Sequence, residues 1–297
     1  MMKIAIYGQY YKKEFSKYLE NLLETLANYN IEVIIEADFY ELINKGQNLV
    51  NTYKTYSSCV DLDDSFDMLI TVGGDGTFLR SITYIRASNI PVLGLNFGRL
   101  GFLANVQKDK IKEAIASIVN KEFIIIERSL LQVKTIPKIE ALNNLNIALN
   151  EVTVVRKNST AMIAVDTCLD DEFLTSYWAD GLIVATPTGS TGYSLSCGGP
   201  VISPTAKNIV LTPIAPHNLT ARPLVIPDKT KIELKVIGRK DYALLSLDSQ
   251  VYTIPNKTKI FIKKADFTIK TVLLNNQSFS KTLREKLLWG EDARNIM

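Results

Sequence analysis

Gly73-Gly74-Asp75-Gly76-Thr77 sets one carboxylate inside a run of glycines. Glycines let backbone N–H groups approach a phosphate closely, and a helix opening there adds its positive end. Asp75 does not suit a loop that only cradles phosphate, because it would repel the ligand. A carboxylate here fits a base for an attacking hydroxyl, or a ligand for Mg²⁺. The plainer alternative is a tight turn with an incidental acid. The spacing is neither G-x-x-x-x-G-K-[ST] nor G-x-G-x-x-G, so a Walker loop and the dinucleotide fingerprint are both absent. Aspartate, with an ordinary pKa of about 3.9, is a weak base. Phosphoryl transfer tolerates that, because its transition state is loose and positioning carries much of the rate.

Three further motifs carry polar chemistry. Asn96-Phe97-Gly98-Arg99-Leu100-Gly101-Phe102 offers a glycine-bent path and an aromatic ring that could stack on a base or simply anchor a loop. Asn150-Glu151 pairs an amide with a carboxylate. The amide can donate to and accept from a purine edge, and the carboxylate can accept from a ribose diol. Taken alone, the dipeptide reads more readily as a solvated turn. Asp180-Gly181 leads through an apolar run into Thr186-Pro187-Thr188-Gly189-Ser190-Thr191-Gly192-Tyr193-Ser194-Leu195-Ser196, then Gly198-Gly199-Pro200. Its hydroxyls and amides could line a polar site, and no Lys or Arg interrupts it, which suits the uncharged parts of a nucleoside.

The elements that must hold these motifs follow from periodicity. Lys3 to Gly8, Ile31 to Ile35, Met68 to Val72, Pro91 to Leu95 and Phe123 to Ile126 read as short buried strands. Phe15, Leu19, Leu22 and Leu26 recur at helical spacing, as do Ile111, Ala114, Ile115 and Ile118; a helix ends near Gly46, and Phe78 to Arg86 reads as another. Alternation of this kind predicts a parallel sheet covered by helices, with Asp75 and the 96–102 loop on its ligand-binding edge. After Arg128 the rhythm changes to β-rich runs at Leu130 to Val133, Val152 to Val155, Met162 to Leu169, Phe173 to Trp178, Leu182 to Ala185, Ile209 to Leu211, Ile232 to Ile237, Leu244 to Leu247, Lys259 to Ile262 and Phe267 to Val272. Asp170-Asp171 and Gly238 mark turns. Ser278 to Trp289 is helical by pattern, with Phe279, Leu283 and Leu287 on one face and a serine to cap it. Gln47 to Asp64 reads as the least structured stretch. The expectation is an α/β N-terminal domain over 1–127, rejoined by 273–297, and a mainly β domain over 128–272.

Composition narrows the class. The chain has 297 residues, with 34 basic against 31 acidic side chains, a formal excess of +3. That excess is too small to imply a nucleic-acid or membrane surface. Lys12-Lys13 and Lys263-Lys264 read as solvated surface. Cys59, Cys168 and Cys197 share no useful spacing, which argues against disulfides and zinc and for a reducing compartment. His217 is the single histidine, so a Ser-His-Asp triad would depend on it alone. No apolar run is long enough to span a bilayer.

Taken together these motifs resemble the ATP-NAD kinases, in order and over nearly the whole chain. GGDGT alone is less specific, since lipid kinases and phosphofructokinases share variants. Thr186 to Pro200, preceded by Asn150-Glu151 and Asp180-Gly181, is highly specific, and Pro216-His217-Asn218-Leu219 with Ala221-Arg222-Pro223-Leu224 adds to it. The resemblance implies phosphoryl transfer from ATP to the adenosine ribose of NAD, an Mg²⁺ requirement, a cytoplasmic setting, and a homodimer or homotetramer built through the β-rich domain. It implies that Asp75 is the base, with Gly73, Gly74 and Thr77 forming the phosphate loop and Gly76 against the ligand. Phe102 would flank the adenine, and Asn150 and Glu151 would hold the adenosine. Thr188, Thr191, Gly192, Tyr193 and Ser196 would line the nucleotide, with Asp180 and His217 towards the nicotinamide. Two departures stand out. Gly192 occupies a position where alanine is usual, and Asp248-Ser249-Gln250 replaces Asp-Gly-Gln, which puts a role for Asp248 in doubt if that turn needs φ > 0. The rival readings are a lipid kinase, which would need an apolar entry, and a non-catalytic NAD(P) sensor, which would lack the acid at 75.

Overall fold

The computed structural model describes residues 1–46, 51–143, 145–157, 161–275 and 277–288. The chain forms two compact units, Met1–Glu127 with Ile269–Met297, and Arg128–Thr268.

The first unit alternates strand and helix. In order it runs β1 (Lys3–Gly8), α1 (Ser16–Asn28), β2 (Glu32–Glu36), α2 (Ala37–Gly46), β3 (Lys54–Tyr56), β4 (Met68–Val72), α3 (Asp75–Ile85), β5 (Val92–Asn96), β6 (Val106–Gln107) and α4 (Ile111–Val119). The strands lie parallel in the order β5-β4-β1-β2-β3, with β6 beside β5. Every residue of β4 and β5 is buried, as expected of central parallel strands covered on both faces. Alternate residues Met68, Ile70 and Val72 join Leu22, Leu26 and Ile115 from α1 and α4 in one core. Parallel strands all end on the same edge, so the loops after β4 and β5 open side by side.

The second unit is antiparallel. It contains β8 (Ile147–Ala148), β9 (Glu151–Arg156), β10 (Ile163–Leu169), β11 (Glu172–Ala179), β12 (Gly181–Ala185), α5 (Tyr193–Ser196), β13 (Asn208–Ile214), β14 (Leu224–Pro227), β15 (Ile232–Ile237), β16 (Tyr242–Leu247) and β17 (Gln250–Pro255). One sheet has the order β14-β13-β12-β9-β16-β17, and β11-β10-β15 form part of another. Val152, Val154, Leu182, Val184 and Leu245 from the first pack with Val165, Leu234 and Val236 from the second. The Asp170-Asp171 turn has φ of 47° and 69°, the pair of positive values a two-residue hairpin of matched twist requires.

Several boundaries differ from expectation. The change of rhythm at Arg128 falls inside a single strand, β7 (Phe123–Ile136), and the two runs predicted at 259–262 and 267–272 are one strand, β18 (Lys259–Leu274). Polar residues mid-run mimic a break, but here the chain passes from one unit to the other without leaving extended structure. The 47–64 stretch holds β3 and a short turn of 3-10 helix at Cys59–Asp61, while 47–50 lies outside the described residues. The final helix is α6 (Phe279–Leu287), with the Ser278 hydroxyl accepting from the Lys281 N–H; Trp289 lies outside the described residues.

Candidate active site

In the first unit, the chain leaves β4 at Val72, crosses Gly73-Gly74 and enters α3 at Asp75. Asp75 turns its carboxylate to the loop after β5. Its Oδ2 accepts the Phe102 N–H at 2.8 Å, and Oδ1 accepts those of Leu103 at 3.0 Å and Ala104 at 2.9 Å. Gly101 lies flush against this carboxylate, and a Cβ there would run into it. Asn96, at the end of β5, accepts the Gly98 N–H at 2.7 Å and donates to the Ala104 carbonyl at 3.1 Å. The two loops are thus stitched together by one acid and one amide. A carboxylate has about four acceptor positions. Three are filled here, which fixes the rotamer and leaves room on Oδ2 for one incoming hydroxyl.

Beside this stitch lies a cavity of about 230 Å³, lined by Gly73, Gly74 and Thr77 with Asn96, Lys12 and Arg99. Lys12 stands at the rim of this cavity with its side chain largely exposed, as expected of solvated surface, and pairs with Glu14 at 3.7 Å, while Tyr10, Tyr11, Phe15 and Phe97 give the cavity an aromatic wall. Phe102 is half-buried, with the Lys286 ammonium 5.3 Å from its ring centre; that ammonium also donates to the Leu100 carbonyl at 2.7 Å.

In the second unit, the bend before β9 carries Asn150 and Glu151. Asn150 Oδ1 and Glu151 Oε2 are buried and without a hydrogen-bond partner among the described residues. Burial pushes the Glu151 carboxyl up to about 8, the charge of Asp248 adds to the rise, and the Tyr193 backbone N–H opposes it. The turn after β12 packs on the same bend. The Thr186 N–H donates to the Asn150 carbonyl at 2.9 Å, and Gly189 presses so close to that carbonyl that no side chain fits.

Several hydroxyls of this turn, expected to line a polar site, also bond within the fold. Ser190 Oγ donates to the Pro187 carbonyl at 2.7 Å and accepts the Ile202 N–H at 3.0 Å. Ser194 and Thr212 share a hydrogen bond of 2.8 Å. Thr188 is buried and accepts from Arg128 at 3.2 Å, and the Thr191 hydroxyl donates to the Thr188 carbonyl. Tyr193 and Ser196 are the exposed members. Gly192 has φ of −93° and ψ of −133°, outside the main allowed regions, and a Cβ there would press on Glu151 Oε2 at 2.9 Å.

Asp180 is engaged by Arg156, Nε to Oδ1 at 2.7 Å and Nη2 to Oδ2 at 3.1 Å, and lies near enough to Tyr193 to help burial and Cys197 raise the phenol. His217 is exposed, its backbone N–H donating to the Trp178 carbonyl. One residue that sequence reasoning left in doubt is brought to the centre. Asp248 accepts the N–H groups of Leu149, Asn150 and Glu151 at 2.9, 2.8 and 3.1 Å. The positive φ of its turn, 50°, falls on Asp248 itself and not on Ser249, so the serine carries no strain. Its sequence signals are the likeness of Asp248-Ser249-Gln250 to the family's Asp-Gly-Gln and a two-residue turn between apolar runs.

This is a two-part chain of an α/β unit with an acid-bearing glycine loop and an antiparallel unit with unsatisfied nucleoside-type acceptors, the class of a nucleotide-dependent kinase. Residues 4–123 match the ATP-NAD kinase N-terminal domain and residues 149–274 the ATP-NAD kinase C-terminal domain. The chain belongs to the ATP-NAD kinase family. It is 55% identical over 294 residues to an NAD kinase of Christiangramia forsetii and 52% identical over 294 to one of Flavobacterium psychrophilum, covering 99% of this chain and 100% of each relative. Among solved structures it resembles yeast NADH kinase complexed with NADH, at TM-score 0.86 and 27% identity over 100% of this chain and 90% of that one. It also resembles an NAD kinase from Archaeoglobus fulgidus in complex with ATP, at TM-score 0.71 and 26% identity over 96% and 97%.

Proposed function

We propose that this chain is an NAD kinase, moving the terminal phosphoryl group of ATP to the 2′-hydroxyl of the adenosine ribose of NAD and releasing NADP. The observation that carries the reading is the pair of buried, unpartnered acceptors Asn150 Oδ1 and Glu151 Oε2. Orphaned buried acceptors are costly unless a ligand satisfies them. An adenine amino group and a ribose diol supply donors of the right kind for that pair, whereas a lipid glycerol backbone supplies no base.

In this reading Asn150 takes the adenine edge and Glu151 orients the ribose. Gly192 leaves space beside Glu151, and Tyr193 and Ser196 edge the site. Asp180 and His217 serve the nicotinamide side, Asp180 with its carboxylate shared with Arg156. Gly73, Gly74, Gly76 and Thr77 take the donor's phosphates, with Lys12 and Arg99 countering their charge. Asp75 Oδ2 receives the hydroxyl proton late in transfer, and Phe102 flanks the adenine. Among the described residues no three His, Cys, Asp or Glu side chains cluster as a metal cage. That fits Mg²⁺ carried in on the donor's phosphates, since such an ion needs one or two carboxylates at most. Bound there, Mg²⁺ would neutralise charge building on the transferring phosphoryl oxygens.

The second unit supports self-assembly. Phe173, Leu174 and Trp178 are exposed along β11, at the end of its sheet order, a surface suited to a homodimer or homotetramer. Free cysteines at 59, 168 and 197 suit a reducing cytoplasm, and no described helix is long and apolar enough to cross a membrane.

Calorimetric titration of NAD into the parent, Asn150→Ala and Glu151→Ala proteins tests the site. Losing a charged hydrogen bond costs about 1.5–3 kcal/mol, so Glu151→Ala should weaken NAD binding roughly 10- to 150-fold and lower turnover with it. Asn150→Ala should act mainly on affinity. Parent-like binding in both would place the adenosine elsewhere.

A further inference from the structure

We propose that Asp248 is a positioning residue for the dinucleotide: its carboxylate fixes the 149–151 backbone so that Asn150 and Glu151 converge on one ligand. This rests on the reading of those two residues as the adenosine site. The turn Asp248-Ser249 joins β16 to β17, and Leu247 pairs with Val152 of β9, so the turn is anchored beside the bend it serves. Three successive N–H groups point at one carboxylate, while the Asp248 N–H returns a hydrogen bond to the Glu151 carbonyl at 3.0 Å. All three partners are donors, so the site needs a group that only accepts. An amide would turn its N–H₂ on one of them.

The arrangement is costly for a merely structural turn. A carboxylate is buried deeply enough that desolvation lifts it to about 6 against the pull of the three amides. It also acts across space. Burial first, and the negative charge of Asp248 after it, raise the Glu151 carboxyl, so Asp248 adds to the hold on a proton that an accepting carboxylate must release. The groups facing Glu151 are Asp248 from the β16–β17 turn and the Tyr193 backbone N–H from α5; the paired residue of β12, Ala185, is apolar. A hairpin acid thus fixes the direction of a residue proposed to touch substrate and contributes to its proton affinity.

The test compares Asp248→Asn and Asp248→Gly with the parent, measuring KM for NAD and for ATP and the pH profile of kcat/KM for NAD. Asparagine tolerates the turn's backbone, and glycine adopts it freely, so at least one variant keeps the hairpin. The expected result is a rise of about tenfold or more in KM for NAD with KM for ATP within roughly twofold. The rising limb of the NAD profile should move to lower pH, because Glu151 loses its like-charged neighbour. Ser249→Gly should match the parent. A role confined to holding the fold would lower the melting temperature and shift both KM values together, with the profile unmoved, and would overturn the proposal. So would failure of both variants to fold, or parent-like NAD kinetics in both. Glu151→Ala run in parallel separates the two readings: if it binds NAD as the parent does, the adenosine assignment fails first; if it loses NAD while the Asp248 variants do not, only the positioning role fails.

Discussion

At the scale of single residues, the two units use one device. Asp75 and Asp248 each accept three consecutive backbone N–H groups, from 102–104 and from 149–151. Each acid fixes a loop that the proposed function sets against a ligand. Asp75 keeps one free acceptor position, so Asp75→Asn should cut kcat by about 10²–10⁴, the range for a positioned base, with the NAD dissociation constant little changed. Near-parent turnover would make Asp75 a loop clamp only. Glu151 gives a stability prediction of definite sign. Its folded pKa, about 8, lies above the ordinary value of 4.5, so the folded state binds the extra proton between them. Stability from this group is complete below pH 4.5 and is lost as pH rises through about 8. Glu151→Gln should therefore raise the ligand-free melting temperature at pH 8.5 by a few degrees and leave it nearly unchanged at pH 5. A variant that melts lower than the parent at pH 8.5 would show that the carboxylate is stabilised by a partner. Asp75 stands out by residue type and neighbours, whereas Asn150-Glu151 alone reads as a solvated turn and enters the site only through the family resemblance. The partners of Asp248 are not legible, because it acts on a bend 97 to 99 residues earlier in the chain, and only strand pairing reveals that.

At the scale of elements, β1, β4 and β5 were legible because central parallel strands are short, continuous and apolar. β7 and β18 were not, because each is a long strand whose two halves serve different units, so its burial pattern changes midway. The turn after β12 was read as ligand-lining from its hydroxyls, yet Ser190, Ser194 and Thr186 bond inward. Hydroxyl content cannot distinguish a polar pocket from a self-bonded turn. The closing helix α6 was legible from its stripe and cap. Thr282 and Leu283 are buried, Gln277 donates to the Asn105 carbonyl at 2.9 Å, and Lys286 reaches Leu100. Leu283→Ala should cost about 2–3 kcal/mol, the lower part of the range for a buried leucine. Deleting residues after Leu274 should uncover the apolar surface that buries Leu283 and cause aggregation. A truncated chain with an unchanged melting temperature would make α6 an appendage.

At the scale of the whole molecule, a net charge of +3 with basic residues at the glycine-loop cavity suits a small anionic ligand and not a polyanion. The exposed aromatics of β11 predict association, and Trp178→Glu should shift the species seen by light scattering towards the monomer. An unshifted mass would move the interface to another surface. The central claim is that the chain phosphorylates the adenosine ribose of a dinucleotide. The most direct test is to incubate the purified chain with NAD, ATP and Mg²⁺ and to identify the product by mass and by phosphorus NMR. The account predicts NADP with its new phosphate on the 2′-oxygen, formed one for one with ADP, and no product from diacylglycerol in place of NAD. ATP consumed without NADP, or a phosphorylated lipid, would contradict it.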